Sequence, residues 1–246
     1  MSSTSPIVET LGQHALLLRL GDAVDLDTSA RVHALVARLE AERPRAVREI
    51  VPAYAAVAVE FGAGSDAARV REELRAWLAE AAATLPVHQV EAAGDVRAAG
   101  AVDVGVDADA AVGIGFGADA TTAVIIPVRY DGPDLDPVAR HAGMTVGEAV
   151  RRHSAPLYTV AMLGFAPGFP YLLGMDPVLA MPRLDTPRSQ VPAGSVGIAE
   201  AQTGIYPQTG PGGWRLLGHT DLRLFAADAD PPALLRAGMR VRFCAL

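Results

Sequence analysis

The sequence predicts an α+β protein in two parts: a small ferredoxin-like unit of order βαββα(β), then a compact β-barrel. Three observations carry this. Over residues 1–90, apolar residues recur alternately at strand and helix spacing. Residues 91–121 consist mainly of Ala, Gly, Val and Asp with few large side chains, which reads as a linker or an extra hairpin. From residue 122 to 246, short strand candidates are separated by Gly- and Pro-rich turns, the texture of a barrel.

In chain order, HALLLRL (14–20) reads as a strand, and the next segment as a helix capped near Asp25 or Asp27 with Val32, Leu35, Val36 and Leu39 on one face. AVREIVPAYAAVAVEFG gives two strands broken at Pro52, followed by a helix with Val70, Leu74, Trp77, Leu78 and Ala81 inward. This is βαββα, and one further strand would complete a ferredoxin-like sheet. GIGFG, within 91–121, imitates part of a nucleotide loop without the strand–loop–helix setting such a loop needs. TTAVIIPVRY starts the second part. Two short helices follow, the first with Asp136 as cap and Pro137 in its first turn, the second with the capping box Thr145…Glu148. LYTVAMLGF, SVGIAEAQTG, WRLLGHTDLRLF and MRVRFCAL are the remaining strand candidates.

Half the chain is hydrophobic, enough for a sizeable core, and 21 basic against 28 acidic residues give a net charge of −7. That sign argues against nucleic acid as a partner. Every basic residue is Arg; the absence of Lys excludes a Walker lysine and a Schiff base. The single cysteine, Cys244, permits no internal disulfide and reads as a packing residue on a terminal strand. The first residues resemble neither a signal peptide nor a membrane span, so a cytoplasmic location without membrane association is expected. His14, His33, His88 and His141 show no ligand spacing, and no metal site is expected.

Chemistry concentrates in residues 153–221, which hold ten of the 24 glycines and nine of the 18 prolines. Rigid Pro, permissive Gly and polar groups combine in DGPDL, GFAPGFPYL, MPRLDTPRSQVPAGS and AQTGIYPQTGPGGW, which read as walls of one site.

These motifs also carry a family resemblance. GPDL, the His before YTV, GFAPGFPYL, PR…PR…VPAGSVGIA, QTGIYP, PGGW and LRLF resemble the family of the B-type subunit of 5-oxoprolinase, also labelled allophanate hydrolase subunit 1. The likeness is dense from about residue 125 onward and looser before, where EIVPAY carries it. It implies a cyclophilin-like barrel for the second domain. It also implies membership of a heteromeric complex, with a C-type and an A-type partner, that opens 5-oxoproline to glutamate with ATP and magnesium. The nucleotide and metal would be held mainly by those partners, so that the chain alone is inactive. Relatives imply two alternatives: a module inhibiting a histidine kinase, and a carboxyltransferase-type subunit in urea or allophanate metabolism. A prolyl isomerase reading is weaker, since no Phe-His-Arg stretch is present.

An unstrained lactam is a poor electrophile, so such a site needs anion donors, a proton-transfer group and walls that exclude water. Arg183 and Arg188 are candidates for binding carboxylate or phosphate. His153 is the candidate proton shuttle, with Asp134 to orient it. Gln202, Thr203 and Tyr206 offer hydrogen bonds. Phe165, Phe169, Tyr171 and Trp214 offer apolar walls, with Gly168 allowing close approach of backbone, although for Phe165 and Trp214 burial as core rings is the favoured reading. Glu200 and Ala201 stand where the family usually has small glycines, placing a negative charge near the expected anion site.

Overall fold

The structure is a computed structural model and describes residues 6–62, 66–85 and 123–246. The reading of 91–121 as a linker or hairpin, with its GIGFG run, and His88 lie outside the described residues.

The first sheet has the order β1-β2-β4-β3, every neighbouring pair antiparallel. Its strands are β1 (Ile7–Leu11), β2 (Ala15–Arg19), β3 (Val47–Pro52) and β4 (Ala56–Phe61), with helices α1 (Leu26–Ala41) after β2 and α2 (Ala67–Ala83) after β4. Asp25 caps α1 by accepting the Thr28 amide at 2.7 Å. Alternate residues of β2 and β4 (Leu16, Leu18, Val57, Val59, Phe61) meet Val32, Leu35 and Leu39 of α1 and Leu74, Leu78 and Ala81 of α2 in one core. Val36, Val70 and Trp77 pack on it partly buried. The expected βαββα order is therefore present. The fourth place in the sheet is taken by β1, which precedes the rest in sequence; its side chains are mostly exposed, so no buried alternation announces it.

The second sheet has seven strands in the order β12-β9-β10-β7-β6-β13-β5. In sequence these are β5 (Val124–Val128), β6 (Tyr158–Leu163), β7 (Pro170–Leu173), β9 (Ser195–Ala199), β10 (Gln202–Ile205), β12 (Arg215–His219) and β13 (Arg240–Ala245). A separate ribbon pairs β8 (Arg188–Val191) with β11 (Gly210–Gly212). The sheet is nearly closed on itself. Arg129, just past β5, and His219, at the end of β12, exchange both backbone hydrogen bonds at 2.9 Å, and the Gly132 and Asp134 amides continue the seam onto the Leu217 and Leu216 carbonyls. Helices α3 (Leu135–His141) and α4 (Val146–Ser154) bury Leu135, Val138, Ala139 and Ala149 in the same core as Val128, Val160, Ile198 and Phe243.

Three local expectations are corrected. Helix α3 begins two residues earlier than expected, with Asp134 at the cap position and its carboxylate engaged elsewhere. SVGIAEAQTG is not one strand but the β9–β10 hairpin, turned at Glu200 and Ala201, with Glu200 at φ 50°. Cys244 lies on a strand as expected, but that position of β13 faces outward and the thiol is exposed. Thr145 does accept the Glu148 amide at the start of α4, at 3.2 Å.

Candidate functional site

A third cluster of buried residues, apart from the barrel core, gathers Phe169, Tyr206 and Trp214 with Val191, Ala199 and Leu216. The Phe169 ring stands edge-on to Tyr206 (centroids 5.2 Å apart, 86°) and to Trp214 (5.4 Å, 85°), and lies 4.9 Å from Tyr171. Such T-shaped packing is favoured by the ring quadrupoles and holds each ring in one orientation. Gly212 permits it, because a Cβ there would collide with the Tyr206 phenol. The rings, with Gly213, wall a cavity of about 70 Å³.

Phe165 closes one side. Its ring lies 5.5 Å from Phe169 and 6.3 Å from Tyr206, yet the residue is 64% exposed. Its φ of 67° is uncommon for a bulky side chain, a strain that surrounding structure must impose. The reading of Phe165 as a core ring is corrected; Trp214, 5% exposed, is buried as expected. Residues 163–168 also line a shallower groove of about 330 Å³. Gly168, at φ 80°, brings this loop against the side chain of Phe225, where a Cβ would lie 2.8 Å from Phe225 Cβ.

The two candidate arginines separate. Arg183 is exposed at the cavity, and among the described residues it has no ion-pair or hydrogen-bond partner. Arg183 lines the cavity together with Tyr171 and Tyr206; burial raises both phenols, and the Arg183 charge works against that rise at each. Arg188 is not free to grip a ligand anion. Its Nη2 donates to both carboxylate oxygens of Asp134, at 3.0 and 2.8 Å, and its Nη1 to the Trp214 carbonyl at 3.2 Å. The expectation that Arg188 binds substrate or phosphate gives way to a structural pair.

The roles expected of His153 and Asp134 are corrected likewise. The His153 ring is fully buried, stacked 4.7 Å from Phe243. The Thr203 hydroxyl donates to the Gly197 carbonyl at 3.0 Å, so it accepts from His153 Nε2 (2.9 Å), leaving Nδ1 to accept from the Tyr130 hydroxyl at 2.7 Å. Desolvation pulls the His153 pKa down to about 3, so the imidazole is neutral and both nitrogens are engaged. Asp134 does not orient it, and Thr203, 0% exposed, belongs to this buried chain of hydrogen bonds rather than to the cleft.

Sequence reasoning missed Tyr54. From the turn between β3 and β4 it donates its hydroxyl to Gln202 Oε1 at 2.8 Å and stands edge-on to Tyr171 at 5.5 Å. The first sheet thus reaches the edge of the cleft, and Gln202 is placed by that contact. The EIVPAY motif is the available signal, but its partner is 148 residues away.

The fold and site together define a mixed α/β protein whose nearly closed barrel carries an aromatic-walled cleft. The chain belongs to the family of the carboxyltransferase domain, subdomains C and D, whose family model matches residues 6–235. The Bacillus subtilis (strain 168) protein named as the B-type subunit of 5-oxoprolinase is 37% identical over 250 residues, 96% of this chain and 91% of that protein. Among solved structures, TTHA0988 superposes with a TM-score of 0.71 at 33% identity, over 98% of this chain and 40% of that one. The Kluyveromyces lactis urea amidolyase superposes with a TM-score of 0.66 at 18% identity, over 100% of this chain and 15% of that one, a likeness of fold.

Proposed function

We propose that this chain is one component of an ATP-dependent amidohydrolase complex that opens 5-oxoproline to glutamate, acting with the C-type and A-type partners of such a complex, and inactive alone. One observation carries the reading: the cleft has ordered aromatic walls and an arginine, but among the described residues no Asp, Glu, His, Cys or Ser lines it. A cleft so equipped can bind and orient, and in this reading another chain supplies the proton transfer. The name of the Bacillus subtilis relative, which makes it one subunit of several, supports the same division of labour.

ATP would supply its terminal phosphoryl group to the lactam oxygen, releasing ADP and making the ring carbon more electrophilic. Water would then add to that carbon, the ring C–N bond would break as the nitrogen takes a proton, and hydrolysis of the resulting acyl phosphate would give glutamate and phosphate. Among the described residues no three His, Cys, Asp or Glu side chains converge. In this reading nucleotide and metal are held mainly by the partner chains, and the complex works in the cytoplasm, where the nucleotide pool lies. No described helix is long and apolar enough to cross a membrane. In this reading the chain divides into 1–90, ferredoxin-like with β1 in the place of the last strand, 91–121, a linker or hairpin, and 122–246, a cyclophilin-like barrel.

A carboxyltransferase-type subunit of urea or allophanate metabolism is the second reading, favoured by the description of the matching family. The test is ATP-dependent glutamate formation from 5-oxoproline by this chain and its C-type and A-type partners, singly and mixed. Turnover on mixing alone is the expected result. Full turnover by this chain by itself would overturn the shared site. Turnover of urea or allophanate in place of 5-oxoproline would favour the second reading, and association with a sensor kinase instead of the C-type partner would turn the assignment to the inhibitor class.

A further inference from the structure

We infer that the cleft between Phe169, Tyr206 and Trp214 is the binding site for the small lactam itself, with its flat amide ring among the aromatic walls and its carboxylate on Arg183. This rests on the amidohydrolase reading and names what that reading leaves open, namely which part of the reacting system this chain holds.

Size decides first. A cavity of about 70 Å³ is well below the roughly 300–1,000 Å³ of sites for drug-sized ligands, so it has no room for a nucleotide and takes at most the ring of a ligand of amino-acid size, leaving a substituent at the mouth. The walls decide next. Phe169, Tyr206 and Trp214 are buried against one another, so the ring faces open to a ligand are those of Phe165 and Tyr171 at the mouth of the cleft. A planar, uncharged amide ring packs on such a face, whereas a ring bearing an ammonium is repelled by the guanidinium. Charge decides third. Of the two arginines near the cleft, Arg188 is already neutralised by Asp134, so Arg183 is left to recognise an anion. Its planar fork suits a carboxylate, which it can hold by two hydrogen bonds.

The test follows turnover in the reconstituted complex and heat of binding to the full chain. The probes are 5-oxoproline, 2-pyrrolidone (the lactam without the carboxylate) and L-proline (the carboxylate without the planar amide). Arg183→Met should raise KM for 5-oxoproline about ten- to a hundredfold with a much smaller change in kcat, and Arg183→Lys should recover part of the loss. In the wild type, 5-oxoproline should outcompete both other probes, and its advantage over 2-pyrrolidone should vanish in Arg183→Met. Arg183 is exposed, so both variants should fold, which circular dichroism checks. An unchanged KM in Arg183→Met, with the complex active, would overturn the inference and leave the proposed function standing. If the wild-type complex forms no glutamate, the proposed function fails instead, and calorimetry decides the cleft. Binding of 5-oxoproline that is lost in Arg183→Met supports the site; equal or absent heats in the two proteins overturn it.

Discussion

Asp134 and Arg188 meet in an ion pair 54 residues apart in sequence, with Arg188 Nη2 reaching both carboxylate oxygens, and the same carboxylate accepts the Leu216 amide at 2.7 Å. One mostly buried side chain thus ties the start of α3 to β8 and β12. Asp134→Ala leaves a guanidinium and a buried amide without their acceptor. It should lower the unfolding free energy by about 3 kcal/mol, measured by urea denaturation. Arg183→Lys, on the open cleft, should stay within about 0.5 kcal/mol of wild type. Similar losses in the two variants would contradict the different roles assigned to the two arginines.

His153 gives a pH signature. Its folded pKa of about 3 lies below the unfolded value, so the unfolded chain takes up the proton first as pH falls. The contribution is flat above about pH 6.5 and then destabilises by at most about 1.4 kcal/mol per pH unit towards pH 3. His33, also lowered by burial, acts in the same direction. His153→Gln should be less stable at pH 7, because the Tyr130–His153–Thr203 chain is broken, yet lose less stability than wild type between pH 6 and pH 4. Parallel pH profiles for the two proteins would show that His153 is not buried as a neutral ring.

Glu200 turns the β9–β10 hairpin at φ 50°, in the region where a side chain is strained and glycine is not. Glu200→Gly should raise stability by about 1 kcal/mol, and with its side chain exposed there is little packing to lose. A fall in thermal midpoint would mean that the Glu200 side chain makes a compensating contact.

Gly168 tests the loop. Valine there would need φ 80° and would press its Cβ against Phe225. Gly168→Val should abolish activity of the complex while the first sheet, with its separate core, stays folded, as judged by hydrogen exchange of β2 and β4. Normal turnover would remove the loop from the site.

What can be read from the sequence is set by how local each signal is. Leu35 and Leu39, or Val57 and Val59, announce their elements because the neighbours that bury them recur at a fixed spacing. β1 carries no such pattern, since its place depends on pairing with β2 while its side chains face water. The Pro- and Gly-rich loops mark Phe169, Tyr171, Tyr206 and Trp214 as neighbours, because rigid turns with aromatic residues are a feature of composition. Arg188 and His153 mislead for the opposite reason. A charged or titratable side chain looks alike in sequence whether it meets a ligand or a buried partner, and their partners Asp134 and Thr203 lie 54 and 50 residues away. The placing of Gln202 by Tyr54 is hidden for the same reason.

The place of β13 has a consequence for synthesis. This last strand lies between β5 and β6, parallel to the one and antiparallel to the other. On the ribosome, β5 and β6 therefore emerge with a vacant slot between them, and two rows of unpaired amides and carbonyls face it until residues 240–245 arrive. The first sheet completes its pairings as soon as β4 has been made, so the nascent chain passes through a stage with one finished half and one open half. During that stage the open half shows strand edges that another chain can pair with, so slow translation of the residues before β13 would lengthen its exposure to aggregation.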